Sequence, residues 1–374
     1  MRSQRLARRL LPIGLLAGTL GAGGTAGAQD AYSAGTLTRV AFGSCLHQDR
    51  PQPVWRAIAD AEPDLFVFLG DNIYADTEDV AAKRQAYDRV NRQPGYQALR
   101  RLCPVWATWD DHDFGVNDCG AEYPMKEESR RLFLDCFEEP ADSPRRRHAG
   151  VYDARIYGPP GRQVQIILLD TRFFRGPLVR RAIRFQGEGP YEENPDRSAT
   201  MLGDEQWAWL REQLRAPADV RIIASSIQVV AEHNNWEKWM NLPHERQLLF
   251  DLISDAGAEG VLFVSGDRHQ AELSMMDAGI GYPIYDLTCS SLNMSRQGPI
   301  VEINPRRVSE VYPDHNFGLI TLDWEPADPL ITLEVRDEEG VTRIRHELRL
   351  STLRAGPAGA APADSRLDEP PDAP

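Results

Sequence analysis

The sequence predicts a mixed-sheet α/β sandwich with helices on its outer faces. Residues 65–69 and 261–264 are continuous apolar runs, the pattern of strands that are buried on both faces. Such runs alternate with helical segments through most of the chain, whereas the last strands follow one another directly. Alternating strands and helices favour a parallel sheet covered by helices, and consecutive strands add antiparallel members.

The individual elements follow from hydrophobic spacing and from the turn residues between them. Strands are expected at residues 36–44, 65–69, 105–109, 151–156, 164–169, 220–224, 261–264, 282–288, 317–324, 330–337 and 341–349. Helices are expected at residues 54–61, 80–101, 127–137, 203–214 and 245–255. The second helix contains Pro94, which predicts an interruption because proline lacks the amide hydrogen that a helix interior needs. The Pro/Gly-rich stretch 175–200 is expected to form a long rim loop.

The two ends of the chain differ in composition from its middle. Residues 1–28 are predicted to be a signal peptide, because arginines precede an apolar run and a small-residue cleavage site. The adjacent Arg8 and Arg9 favour twin-arginine export, and hence a periplasmic or secreted protein without a membrane anchor. Residues 36–353 are expected to form one catalytic domain. Residues 355–374, rich in alanine, proline and acidic residues, are expected to be a disordered tail.

The charge of the chain limits its partners. The formal net charge is −14, and removal of a leader with four arginines would make it −18. Nucleic-acid binding needs clustered lysine and arginine, so a nucleic-acid surface is not expected. We expect a monomer that acts on a small molecule.

Residues with metal-ligand chemistry follow the predicted strands at the point where each strand ends. They are Cys45, Asp71, Asp111, Asp170, Gln228 and Asp267. Ligands of α/β sheets gather at the carboxyl ends of the strands. Asp267 and His269 are two residues apart and point to one side of an extended segment. Asp71 and Tyr74 are one helical turn apart, so they also converge.

The segment after the third strand carries the most charge. Its polar residues are Asp110, Asp111, His112 and Asp113. Burying several unpaired carboxylates is prohibitively costly, so they are either solvated or balanced by a cation. The ligand-type residues at the other strand ends favour a metal ion.

Five short motifs occur in the chain in a fixed order. They are Phe42-Gly43-Ser44-Cys45, Gly70-Asp71-Asn72-Ile73-Tyr74, Trp109-Asp110-Asp111-His112-Asp113, Leu169-Asp170-Thr171-Arg172 and Gly266-Asp267-Arg268-His269. This series resembles the alkaline phosphatase D (PhoD-like) family of calcineurin-like metallophosphoesterases, from about Thr38 to Trp324. The resemblance implies a four-layer α/β/β/α sandwich with two mixed sheets. It also implies export by the twin-arginine route and hydrolysis of phosphate mono- or diesters at a cluster of Fe³⁺ and Ca²⁺.

The resemblance implies a role for each matching residue. The implied metal ligands are Cys45, Asp71, Tyr74, Asp111, Asp267 and His269. The thiolate, phenolate and imidazole would hold the iron, Asp71 would bridge, and the other carboxylates would serve calcium, which takes only oxygen ligands. Other divalent metals would also suit these oxygens. His112 occupies the position of a catalytic histidine, which would protonate the leaving alkoxide or assist the attack of water.

The sequence allows more than one role for several neighbouring side chains. Arg172 is placed either to bind a phosphate oxygen or to pair with Asp170. His233 lies either beside the metal site or in an aromatic corner of the core. Other residues expected around the ions or the substrate are Asn72, Asp110, Asn117 and Gln228.

The chain departs from the family pattern near the second ion. Asp113 replaces the usual glutamate, and no asparagine matches a calcium ligand expected on a later helix. The nearest residues are Ser129, Lys126 and Asn117. Gln228 stands where the wider superfamily has a histidine, and its amide oxygen would suit a hard ion.

The five cysteines are an odd number for an exported protein, so at least one is unpaired or a ligand. With Cys45 as a ligand, the other four are available for disulfides. Cys119 and Cys136 flank one loop and helix, and we expect that pair.

Two other functions stay open. A catalytically decayed metal-binding or scaffolding protein on the same fold is disfavoured because His112 and all the implied ligands are present. A zinc peptidase or amidase would need His-Glu-x-x-His or three nitrogen ligands, and neither pattern is visible.

Overall fold

The computed structural model describes residues 35–184, 188–296 and 302–356. The predicted signal peptide and nearly all of the predicted tail lie outside these residues. Within them, none of the helices combines the length and apolar character that crossing a membrane requires. The described residues form two six-stranded mixed sheets with helices on the outer faces.

The first sheet joins the two ends of the described chain. Its strands are β1 (Arg39–Gly43), β2 (Leu65–Leu69), β3 (Val105–Thr108), β12 (Asn316–Asp323), β13 (Leu330–Asp337) and β14 (Thr342–Arg349). They lie in the order β14-β13-β12-β1-β2-β3. β1, β2 and β3 are parallel, and β12 to β14 are antiparallel, as the uninterrupted succession of the last three predicts.

The second sheet is formed by the middle of the chain. Its strands are β4 (Asp153–Tyr157), β5 (Val164–Leu168), β8 (Val220–Ser225), β9 (Val261–Ser265), β10 (Ala271–Asp277) and β11 (Pro283–Cys289). The order is β10-β11-β9-β8-β5-β4, with β5, β8, β9 and β11 parallel. Sequence reasoning missed β10, since Glu272 and Ser274 are buried in it and obscure the apolar alternation. A two-stranded ribbon, β6 (Val179–Arg180) and β7 (Tyr191–Glu192), lies within the long rim loop.

The helices cover the sheets. They are α1 (Val54–Asp60), α2 (Val80–Asn91), α3 (Pro94–Leu102), α4 (Asp111–Phe114), α5 (Lys126–Cys136), α6 (Gly203–Leu214) and α7 (Pro243–Asp255). The predicted interruption is confirmed, because Pro94 begins α3 at a position where its missing amide hydrogen is not needed. α4 was not predicted, since four polar-rich residues have no helical spacing to recognise.

Side-chain alternation along the strands creates the layers. Val67 and Leu69 of β2 belong to the apolar core that both sheets share, and Phe66 and Phe68 belong to the core under the helices of the first sheet. Trp55 of α1 packs its ring 5.7 and 5.8 Å from those two phenylalanine rings. Residues of α6 and α7 pack in the same way on the second sheet. The predicted four-layer sandwich is therefore confirmed, with the carboxyl ends of the parallel strands at one edge.

A cavity of about 570 Å³ lies along β3 and β4, the outer strands of the two sheets. Arg145 lines it and is almost fully buried. Its guanidinium donates to the carbonyls of Ala107 and Val151, each at 2.6 Å, and so ties the two sheets together. None of the predicted ligand residues lines this cavity, so it is separate from the site described next.

Candidate metal centre

The backbone turns sharply where β1, β2 and β9 end. Cys45, Asp71, Asp267 and His269 have φ angles of 59°, 49°, 69° and 53°. A left-handed backbone costs a residue other than glycine roughly 1–2 kcal/mol, so it persists only where the surroundings fix it. Strain of this kind is concentrated at functional sites, and here it marks four predicted ligands.

Cys45, Asp71, Tyr74 and His269 form one group, which we name the cysteine cluster. Cys45 Sγ lies 3.4 Å from Asp71 Oδ2, and the Tyr74 hydroxyl donates to the same oxygen at 3.0 Å. The Tyr74 hydroxyl also lies 2.9 Å from His269 Nε2. The donor atoms of Cys45, Asp71 and His269 all fall within 4.8 Å of one another. Sulfur, oxygen and nitrogen donors thus meet at the ends of three strands.

The electrostatics of the cysteine cluster favour a cation. Burial raises the pKa of Cys45 to about 11. Burial and the neighbouring anions also raise the pKa values of Asp71 and Tyr74 well above their ordinary values. Burial, followed by Arg268, lowers the pKa of His269 to about 4. Among the described residues, no arginine or lysine side chain pairs with these donors, so a metal ion would supply the missing positive charge.

A second group, the carboxylate cluster, consists of Asp110, Asp111 and Asp267. Their carboxylate oxygens lie within 4.8 Å of one another. Burial raises the pKa of Asp110 to about 7, and Asp110 Oδ2 is buried without a hydrogen-bond partner. An orphaned buried oxygen among carboxylates fits a hard cation with oxygen ligands. Asp71 also groups with Asp111 and His112, so it stands between the two clusters.

His112 lies in α4 with its ring 4.3 Å from that of Tyr74. Its Nδ1 lies 2.8 Å from each carboxylate oxygen of Asp76. Burial lowers the pKa of His112, but Asp111, Asp71 and Asp76 outweigh it and raise the value to about 11. Because Asp76 occupies Nδ1, the ring is oriented with Nε2 as its second proton-carrying atom.

Arg172 is fully buried, and the expected ion pair with Asp170 is wrong. Its Nε donates to Asp110, and its Nη1 donates to Glu237 at 2.7 Å. Asp170 instead accepts the backbone N–H of Arg172 at 2.9 Å. The Nη2 of the guanidinium is buried without a hydrogen-bond partner among the described residues.

Sequence reasoning missed three residues of this region, Asp76, Asp118 and Glu237. Asp118 and Glu237 place carboxylate oxygens within 4.8 Å of Asp111. Tyr191 of β7 donates to Asp118 at 2.5 Å. Asp76 lies two residues beyond Tyr74 and could have been recognised there, whereas Glu237 belongs to an irregular segment with no signal of its own.

Asn72 and Asn117 lie near the clusters in different settings. Asn72 is buried, and its side-chain amide donates to the Thr108 carbonyl at 2.9 Å and to Asp113 at 2.5 Å. Asn117 is exposed and donates to Asp118 at 2.6 Å. Asn72 thus braces the loops beneath the site, and Asn117 lies at its outer edge.

The structure contradicts the interpretation of Gln228 as a metal ligand and that of His233 as part of the core. The Gln228 amide nitrogen donates to Glu272 at 2.9 Å, and its oxygen accepts from Asn234 at 2.9 Å. The amide therefore belongs to a buried polar network rather than to a metal site. His233 is exposed, so it does not lie in an aromatic corner of the core.

All five cysteines are free, so the expected disulfide between Cys119 and Cys136 is wrong. The Cys119 thiol accepts the backbone N–H of Val116 at 3.1 Å, within its own loop. Cys136, at the end of α5, lines the cavity beside β3 instead.

The chain is similar to one protein family and to several solved structures. A family model described as PhoD-like phosphatase matches residues 40–316. The solved structure of PhoD is 17% identical with a TM-score of 0.69, over 86% of this chain and 72% of that one. GAP50, described as the anchor in the inner membrane complex of Plasmodium, is 14% identical with a TM-score of 0.55, over 84% and 89%. A dimetal phosphatase from Danio rerio is 13% identical with a TM-score of 0.47, over 86% and 100%.

No curated protein matches the sequence. The structural likenesses establish the fold, and the family model covers well over half of the chain. The chain belongs to the PhoD-like phosphatase family.

Proposed function

We propose that this protein is an exported phosphoesterase that hydrolyses phosphate mono- or diesters with metal ions held by the two clusters. One observation carries the proposal: the donors of Cys45, Asp71 and His269 meet within 4.8 Å, beside the carboxylate cluster. The basic, then apolar, N-terminal segment supports export to the periplasm or the medium.

The donor chemistry divides the ions between the clusters. A thiolate, a phenolate and an imidazole suit Fe³⁺, so Cys45, Tyr74 and His269 would hold iron, with Asp71 shared between the ions. Asp111 and Asp267, with the unpartnered oxygen of Asp110, would hold Ca²⁺, which binds oxygen alone.

The mechanism assigns different tasks to the ions and to the chain. When bound, the ions lower the pKa of the attacking water and neutralise the phosphoryl oxygens. His112 donates a proton from Nε2 to the leaving alkoxide oxygen, and Asp76 fixes the orientation of the imidazole through Nδ1. Arg172 holds Asp110 and Glu237 in place.

A catalytically inactive scaffold remains the competing proposal, because a fold does not imply one function. GAP50, with a TM-score of 0.55, is described as an anchor. The presence of His112, its partner Asp76 and both clusters favours catalysis in this chain.

The experiment is metal analysis of the purified protein together with assays on matched phosphate monoesters and diesters. We expect bound iron and calcium and hydrolysis of at least one ester class. Ferric phenolate absorbs visible light, so Tyr74→Phe should remove or shift a visible band. A colourless wild type that is fully active with zinc alone would exclude iron. Bound metals without cleavage of either ester class would favour the scaffold.

A further inference from the structure

Lys238 is buried without a carboxylate partner. Its side chain follows Glu237 and is 4% exposed. The ammonium donates to the Trp236 carbonyl at 3.0 Å, and none of the ion pairs among the described residues includes it. A buried cation is costly unless an anion compensates it. Burial, followed by repulsion from Arg268, lowers the pKa of Lys238 to about 8.

Arg268 adds further unused donors beside this lysine. Its guanidinium lies 5.1 Å from the centre of the Trp236 ring and 3.5 Å from the Asp267 carboxylate. The side chain is 5% exposed, yet its Nε has no hydrogen-bond partner among the residues that the structure describes. The indole N–H of Trp236 is also buried and has no partner among those residues. Unsatisfied buried donors of this kind mark places where an ion or a ligand binds.

The surrounding charge is positive in a protein whose net charge is −14. The cations of this patch are Lys238, Arg246, Arg268, Arg296 and Arg306. Arg268 and Arg296 share Glu302, and Arg246 and Arg306 share Glu232. Asp267 also lies 3.5 Å from Arg268, and Glu193 raises the pKa of Lys238, so five cations face four carboxylates and one positive charge is in excess beside the carboxylate cluster.

We infer that Lys238, Arg268 and Trp236 form an anion subsite that receives a second anionic group, of phosphate or carboxylate type, on the leaving part of the substrate. Arg268 directly follows Asp267, so the subsite adjoins the position proposed for the scissile phosphate. Binding there would satisfy the buried donors and offset the excess charge. The inference rests on the proposed function, and it narrows the substrates to phosphoesters with a further negative charge.

The test replaces Lys238 with methionine, which has similar length and no charge. Lys238→Gln is a second variant that keeps a donor without charge. Arg215→Met, on a side chain that is 58% exposed, controls for the loss of one surface charge. Removing a buried, unpaired ammonium should not lower stability, so the variants should fold, as thermal unfolding would verify.

Calorimetry with sulfate on the metal-loaded protein tests the subsite without turnover. Wild type and Arg215→Met should bind sulfate, and both Lys238 variants should bind it about tenfold more weakly, the effect of losing one charged contact. Equal sulfate affinity in wild type and the Lys238 variants would overturn the subsite.

Kinetics with 4-carboxyphenyl phosphate and 4-carbamoylphenyl phosphate test the leaving-group assignment. Lys238→Met should raise KM about tenfold for the carboxylate and leave the neutral ester within about twofold. If Lys238→Met changes KM equally for the two esters, the subsite does not contact the leaving group and binds free anions instead. Sulfate binding that depends on Lys238, in a wild type that cleaves neither these monoesters nor matched diesters, would refute the proposed function but retain the subsite.

Discussion

The cysteine cluster and the neighbouring carboxylates that bind arginine both place acidic groups in the interior, but their charge is neutralised in different ways. In the cysteine cluster, Cys45, Asp71 and Tyr74 contact one another and no arginine or lysine side chain pairs with them in the described part of the chain. A few ångströms away, Asp110 and Glu237 are equally buried but share Arg172, and Arg175 adds a second guanidinium 3.0 Å from Glu237.

The difference shows which half of the site depends on a metal ion. Arginine neutralises Asp110 and Glu237 within the chain, so their geometry belongs to the fold itself. In the described part of the chain no arginine or lysine neutralises the cysteine cluster. The protonated His112 partly offsets the charge of Asp71, yet the pKa values of Cys45, Asp71 and Tyr74 stay raised, so these donors resist ionisation. The anionic form of the cluster therefore depends on a cation from outside, and the following predictions test that contrast.

Removing Asp71 should have the largest effect. Asp71→Ala deletes the carboxylate between the two clusters, so both metals should be lost and turnover should fall about a thousandfold or more, the worth of several kcal/mol of charge stabilisation. Metal analysis and steady-state rates measure this. In chelator-treated protein the variant should unfold at no lower denaturant concentration than wild type, because the deleted carboxylate was buried and uncompensated. Full metal content in Asp71→Ala would contradict the proposal that both metal ions share Asp71.

His112→Ala separates chemistry from metal binding. The variant should keep its metals and lose roughly a hundred- to ten-thousandfold in turnover, the usual worth of general acid–base catalysis. Alkyl esters should suffer more than activated aryl esters, because poor leaving groups need the proton most. Wild-type rates on both kinds of ester would show that His112 is not the acid.

Arg172→Met tests the two carboxylates that arginine neutralises, Asp110 and Glu237. Removing the shared cation leaves Asp110 unpaired in the interior and Glu237 with Arg175 alone, and the free energy of unfolding should fall by about 3–5 kcal/mol with or without metals. Denaturant unfolding measures it, and Arg215→Met should stay within about 0.5 kcal/mol of wild type as the exposed control. If the free energy of unfolding falls only in metal-loaded protein, Arg172 stabilises the protein by supporting metal binding instead.

Asp76→Asn should have the smallest effect. The amide keeps a contact with His112 Nδ1 but no longer stabilises the imidazolium, so turnover should fall about 10- to 100-fold, as for other groups that orient a working side chain. The pH profile of turnover should shift to lower pH, because one of the three carboxylates that raise the pKa of His112 is gone. An unchanged pH profile would show that Asp76 stabilises its loop but does not influence the ionisation of His112.

Much of the candidate site could be predicted from the sequence. Cys45, Asp71 and Asp267 were placed together because parallel buried strands share one carboxyl edge, and an apolar run that ends in a ligand residue is visible without coordinates. The pairing of Asp71 with Tyr74 followed from their spacing of one helical turn, and the two contact each other at 3.0 Å.

Local pattern alone determined the layers, the strand ends and the sites where metal-ligand residues emerge, since these depend on side-chain period and chain direction. Tertiary structure alone decided the contacts of Arg172 and Gln228. Each is a polar side chain beside a strand end, but its role depends on which distant group completes its hydrogen bonds. Glu237 reaches Arg172 from 65 residues away, and Glu272 reaches Gln228 from 44. No local pattern encodes such partners, because burial demands only that some partner be found and the packing of the whole chain selects which one.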